Sequence, residues 1–298
     1  MSNTTRPNAY LYMLTSMFFF AAMSAAIHGV VGLDVTQMVF IRNILVLVIM
    51  TGWMLVKHQG FAPLKTNKIK QHFWRSLVGV IGMHFWFASL VMLPLNTAMA
   101  ISFTVPIFGT ILAVLLLGER AGWRRWLAVL IGFAGVLIVV RPDGDVPMFG
   151  AAMGLCASAT IALTSTMIKS LTKTEHTDAI IYYMALFMML FSAPLGVYHW
   201  QPVSQEQFLL LVLVATLATA AHQFMTRAFS MMELVKLIPI DYMRLIFTAA
   251  LAYLFFGEVI TADTIIGAVI IMGSTFYIAK REAVRSRPPS PSGRGNET

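Results

Sequence analysis

Leu115-Leu116-Leu117-Gly118-Glu119 and Leu254-Phe255-Phe256-Gly257-Glu258 share one pattern. Three large apolar residues run into a glycine and a glutamate, and the second copy lies 139 positions after the first. Each copy ends a long apolar run. Ala128 and Gly135 follow the first glutamate, and Gly267 and Gly273 follow the second at nearly the same distances. A fixed offset of this size marks an internal repeat and divides the chain into two halves.

The runs around the repeat are long enough to cross a bilayer, whose apolar core takes about 20 helical residues. Spans are expected at 9–31, 35–56, 73–93, 95–117, 123–140, 148–168, 178–198, 206–227, 234–256 and 263–280. The small residues Ala21-Ala22-Met23-Ser24-Ala25-Ala26 lie inside the first run, but its length suits a span better than a cleaved leader. Composition agrees: 58% of the 298 residues are hydrophobic and 11% are charged, against about 25% charged in ordinary soluble domains. The fold class expected is an all-α membrane protein of ten transmembrane helices, built as two five-helix repeats over 9–140 and 148–280. Residues 281–298, rich in Pro, Ser and Arg, are expected to be a disordered tail.

The charges orient these spans. With the N-terminus in the cytoplasm, 18 of the 21 Lys and Arg residues fall on cytoplasmic segments and only Arg141 on the opposite side. The cytoplasmic set includes Lys57, Lys65, Lys68 and Lys70 between the second and third spans and Arg75 at the start of the third. That asymmetry places both termini in the cytoplasm and accounts for the net charge of +8 without a nucleic-acid partner. Five spans per half is an odd number, so the halves insert in opposite senses. Arg120, Arg124 and Arg125 follow Glu119, whereas no basic residue follows Glu258 until Lys280. Inverted repeats with a site near the midplane are a recurring design of secondary transporters.

Several further stretches carry a family resemblance: Pro94-Leu95-Asn96-Thr97-Ala98-Met99-Ala100-Ile101-Ser102-Phe103-Thr104-Val105-Pro106, then Gly118-Glu119-Arg120, Gly132-Phe133-Ala134-Gly135-Val136-Leu137-Ile138 and the second Gly257-Glu258. With them the chain resembles the drug/metabolite transporter superfamily, in its EamA-type ten-helix members. The segment 96–142, with Pro239-Ile240-Asp241-Tyr242-Met243-Arg244-Leu245, is similar to the branch of bacterial riboflavin and S-adenosylmethionine importers. The resemblance implies a multi-pass transporter of the bacterial inner membrane. It would move a small metabolite, such as riboflavin, as a monomer or homodimer among membrane lipid, with a coupling ion such as a proton. Export of amino acids or other metabolites is the rival direction.

Charges inside hydrocarbon are costly and mark function. Arg42 lies about seven residues inside the second span, roughly 10 Å deep at 1.5 Å per residue. Asp241 and Arg244 lie three apart in the ninth and can pair on one face. At the repeat offset Arg42 corresponds to Ile181, Arg244 to Val105 and Asp241 to Ser102, so the architecture is built twice and the charges once. Arg42 is therefore expected to anchor an anionic or electron-rich group. Asp241 and Arg244 either line the cavity with it or lock their helix to a neighbour. His84 and His222, near-equivalent in the two halves, are candidate ligand or proton-relay groups. Trp86 and Tyr242 are candidates to stack on a planar ligand. Glu119 and Glu258 read as structural, each after a helix-closing glycine and favouring the N-terminus of the next helix. Pro106 and Pro239 are candidate kinks or hinges. Gly150 and Gly154, four apart, suit close helix packing.

There is no Gly-rich phosphate loop followed by Lys-Ser/Thr, no hydrolase elbow and no metal-ligand spacing. Neither an enzyme nor a cofactor or metal is expected. If the charge asymmetry sets the topology, a reporter active only outside the cytoplasm will be active when fused after Asp143. It will be silent after Gly122 or Arg285.

Overall fold

The computed structural model describes residues 5–58, 60–117, 122–140, 146–233, 237 and 240–285. Glu119 and Pro239 lie outside the described residues, as does the tail beyond Arg285. Eleven α-helices are described: α1 (Thr5–His28), α2 (Val35–His58), α3 (Ile69–Met92), α4 (Leu95–Ser102), α5 (Val105–Leu117), α6 (Trp123–Val140), α7 (Met148–Leu171), α8 (Thr177–Tyr198), α9 (Gln205–Met231), α10 (Met243–Phe256) and α11 (Ala262–Arg285). No strand occurs among the described residues. Seven helical segments are long and apolar enough to cross a membrane, and three shorter apolar helices accompany them.

Local chemistry sets several ends. Asp34 accepts from the Thr36 amide at 2.8 Å at the start of α2. Ser204 and Gln207 form a reciprocal capping box on α9. Gly257, at φ 64°, closes α10 in the left-handed region. The last helix continues to Arg285, past the end expected at 280. Lys280, Arg281, Glu282 and Ala283 are good helix formers, and Pro288 comes only later.

The principal departure from expectation is the fourth span. It is broken at Phe103 and Thr104 into α4 and α5, and Pro106 sits in the first turn of α5, where its missing N–H costs little. The stretch leading into α10 is likewise interrupted at Tyr242, the residue that caps it. Hydroxyls and neighbouring helices take up the backbone freed at the first break. Thr104 Oγ1 donates to the Ile101 carbonyl at 2.8 Å, and Ser102 Oγ to Met99 at 2.7 Å. Thr275 Oγ1 of α11 donates to the Phe103 carbonyl at 3.3 Å. In hydrocarbon an irregular backbone survives only when satisfied in this way.

Packing repeats across the chain. α1 packs on α9 and α10, and α7 packs on α3 and on α4 and α5. α3 meets α8 as α9 meets α2, while α2 pairs with α8 and α6 with α11. Exchanging the two halves turns each pairing into another or into itself. Helix ends keep the 139 offset at Met92 and Met231 and at Leu117 and Phe256, and helix starts keep it at Trp123 and Ala262.

Close approach rather than a hydrophobic drive holds such helices together in lipid. On α7, a Cβ at Gly150 or Gly154 would come within 3.0 Å of Leu93, or of Ser89 and Ile101. Between α6 and α11, a Cβ at Gly267 would lie 2.6 Å from the Gly135 carbonyl oxygen and 2.4 Å from Val139 Cγ2. Backbone cannot step aside there as a side-chain tip can. Gly267→Ala is therefore expected to lower the melting temperature by an overpacking penalty of about 1–3 kcal/mol. Gly52→Ala, with nothing within 4 Å of the added Cβ, should leave the temperature unchanged or raise it.

Candidate functional site

Arg42 leaves the middle of α2 and is 1% exposed. Its Nη1 donates to Asn43 Oδ1 at 2.8 Å and lies 3.7 Å from the Met83 sulfur, while its Nε has no acceptor. Arg75, counted above among the cytoplasmic charges, sits in the second turn of α3 and is 4% exposed. The helix starts at Ile69, and Arg75 shares its buried face with His72 and Ser76. Its Nε and Nη1 find no acceptor either. The two guanidiniums act on one another electrostatically, and both act on His222 of α9. The His222 ring meets Phe20 of α1 edge-on at 5.2 Å.

A second group gathers where the helices break. Phe103 and Tyr242 occupy equivalent places in the repeat, and their rings meet at 5.4 Å. Tyr242 Oη donates to the Met272 carbonyl at 3.2 Å. Arg244 Nη2 donates to Ser102 Oγ at 3.1 Å, lies 3.7 Å from Asp241 Oδ2 and sits 5.7 Å from the Phe103 ring. Asp241 and Arg244 thus pair across the interruption at Tyr242, and Arg244 also reaches across to α4.

The remaining candidates are more dispersed. His84 Nδ1 meets the Val80 carbonyl at 2.7 Å within its own helix, and its Nε2 has no partner. Trp86, 8% exposed, packs in the main apolar core. No described contact joins either residue to Arg42. Among the described residues no three His, Cys, Asp or Glu stand close enough to hold a metal ion.

Polar networks close both ends of the bundle. At one end Glu258 acts on α4 rather than on the helix that follows it, which begins only at Ala262. It accepts from the Leu95 amide at 3.1 Å and from the Asn96 amide at 3.4 Å, and it lies 3.3 Å from His28 Nε2. The other His28 nitrogen meets the Leu90 carbonyl at 2.6 Å. Burial works to raise the Glu258 carboxyl, but these hydrogen bonds and the imidazole charge outweigh it and hold the group below the ordinary carboxylate range. At the other end Asp178, 1% exposed, accepts from Lys57 at 3.3 Å and Gln223 at 2.6 Å. His72 lies 3.5 Å from Glu175 there. The sequence reading did not single out Asp178, His72 or Glu175. Their short distance from apolar span ends was the only available signal.

Three comparisons bear on this arrangement. A profile of the EamA-like transporter family matches residues 7–141 and 148–280. Among curated proteins, the riboflavin transporter of Vibrio cholerae is 28% identical over 283 residues, covering 93% of this chain and 94% of its own. The S-adenosylmethionine uptake transporter of Rickettsia prowazekii is 29% identical over 227 residues, 76% of this chain and 77% of its own. The pseudopaline exporter of Pseudomonas aeruginosa is 25% identical over 276 residues, 91% of this chain and 95% of its own. A crystal structure of a protein 17% identical in sequence covers 94% of this chain and 99% of its own, with a TM-score of 0.63.

Since the Glu258 carboxyl is depressed in the fold, its contribution is full above the ordinary carboxylate range and is lost as pH falls through the lower folded value. Glu258→Gln is expected to lower the melting temperature at neutral pH. Between about pH 5 and about pH 3, where imidazoles stay charged, its melting temperature should fall less steeply than that of the parent.

Proposed function

Since this chain belongs to the EamA-like transporter family, we propose that it imports riboflavin across the bacterial inner membrane by alternating access of two inverted five-helix halves. Transport across a membrane, not catalysis, is its work. The reading of ten spans counts the broken fourth and ninth as one each. It is supported by helix ends that keep one offset and by pairings that survive exchange of the halves. In this reading the closed ends are the two gates, and both termini lie in the cytoplasm. Arg42, His84, Trp86, His222, Asp241, Tyr242 and Arg244 line the path between the gates.

One observation carries the choice of cargo: Arg42 and Arg75 are buried, and among the described residues no carboxylate pairs with either. Such an interior repels the positive sulfonium of S-adenosylmethionine, since like charges at low dielectric are strongly unfavourable. It suits riboflavin, which is neutral and flat and has carbonyl oxygens along one edge for a guanidinium to donate to. Trp86, Phe103 and Tyr242 supply faces for its ring. The S-adenosylmethionine reading rests on the relatives of that name and on Asp241, an acid beside the interruption at Tyr242. An outward direction has the pseudopaline exporter as its precedent.

Uptake of labelled riboflavin into an auxotroph is the test. Expression of this chain should restore uptake, and Arg42→Ala at equal membrane abundance should reduce it about 10- to 100-fold. That range corresponds to the loss of a charge-assisted hydrogen bond worth about 1.5–3 kcal/mol. Equal uptake by the variant would remove Arg42 from the path. No uptake by the parent would remove riboflavin and direct the assay to S-adenosylmethionine and to export.

A further inference from the structure

We infer that Arg42 and Arg75 form one anion subsite on the path, at which a ligand carrying a carboxylate or phosphate binds both guanidiniums more tightly than neutral riboflavin does. This deepens the transport reading and rests on it.

The two side chains come from adjacent helices, α2 and α3, and are 1% and 4% exposed. A guanidinium offers five donors in a planar fork. Here Arg42 places one nitrogen on a neutral amide oxygen and a methionine sulfur, and its Nε has no acceptor. Arg75 has no acceptor at Nε or Nη1. The Arg75 fork lies along a bare stretch of α3, since a Cβ at Gly79 would stand 3.6 Å from its Nη1. Met188 of α8 and Thr164 of α7 border the same spot.

Buried carboxylates near either end of the bundle are engaged elsewhere. Asp178 binds Lys57 and Gln223, Glu175 faces His72, and Glu258 faces His28 and α4. Asp241 pairs with Arg244. Two like charges with open donors in a membrane interior are held at a cost that no packing role requires. At the repeat offset their counterparts are Ile181 and Val214, both buried aliphatic residues, so the framework at these places is complete without charge. An anionic group with two or more oxygens fills the open donors and cancels the repulsion at once, the geometry in which arginine forks bind best. Among flavins, the phosphorylated form meets this requirement better than riboflavin itself.

The test uses purified full-length protein in detergent and two probes. Inorganic phosphate should raise the melting temperature above that in chloride at matched ionic strength. Flavin mononucleotide should bind about tenfold more tightly than riboflavin by quenching of flavin fluorescence. Arg42→Gln and Arg75→Gln should each abolish the preference, and Arg75→Lys should retain part of it. An anion preference by either probe that depends on both arginines sustains the subsite. Absence of preference with both probes, or its persistence in the double glutamine variant, overturns it. The comparison of the two probes on the parent protein needs no variant, so poor folding of a variant does not protect the claim. Failure of riboflavin uptake in cells with the phosphate effect intact would remove the flavin reading alone. Intact riboflavin uptake with no anion preference would remove the subsite alone.

Discussion

The structure depends on a helix that stops partway through the bundle and on what satisfies its open end. The backbone between Ile101 and Thr104 leaves helical geometry where no water is available to replace its hydrogen bonds. Short hydroxyl side chains take over that work, from within the segment at Ser102 and Thr104 and from α11 at Thr275. Phe103 then faces Tyr242, its counterpart in the second half, so the two interruptions support each other. Without this mutual cover, each break would leave polar backbone facing an apolar interior.

Around that centre the framework is symmetric and the chemistry is not. α1 with α9 mirrors α7 with α3, and α6 with α11 mirrors itself. Yet Arg42 and Arg75 stand opposite aliphatic residues, and Arg244 reaches back to a serine that stands where the second half has Asp241. In the alternating-access reading proposed above, a duplicated scaffold supplies two closable ends. A cargo is itself asymmetric, so recognition has to be written into one half at a time. Here the buried cations concentrate in the first half.

That the chain is an all-helical membrane protein was legible because lipid leaves a coarse signature. Apolar runs of span length, a lopsided distribution of Lys and Arg, and one offset between Glu119 and Glu258 each report on the membrane rather than on any particular contact. The break in the fourth span was not legible, because Ser102 and Thr104 on either side of Phe103 can also sit inside a continuous apolar helix, and only tertiary partners make a stop there tolerable. Pro106 pointed to the region but sits just past the interruption. Arg75 was misplaced by reading each charge near a span end as solvated. Its counterpart Val214, fully buried on α9, was the signal that this register position faces inward. The role of Glu258 was half legible: glycine at the helix end could be foreseen, but not that the carboxylate would cap α4 in the other half of the chain.

The pairing of α6 with α11 has a consequence for the surrounding lipid. α6 runs from Trp123 to Val140 and α11 from Ala262 to Arg285. At 1.5 Å per residue the described length of α6 is roughly 27 Å, close to a hydrocarbon core of about 30 Å. Trp123 and Trp126 lie exposed at the start of α6, with Arg124 5.4 Å from the Trp123 ring, as anchors at a headgroup layer would be. Aromatic and basic side chains at this level resist sliding of α6 along the bilayer normal. Motion of one half against the other would then tilt this anchored flank rather than lift it, which makes the headgroup layer a fixed bearing for the cycle.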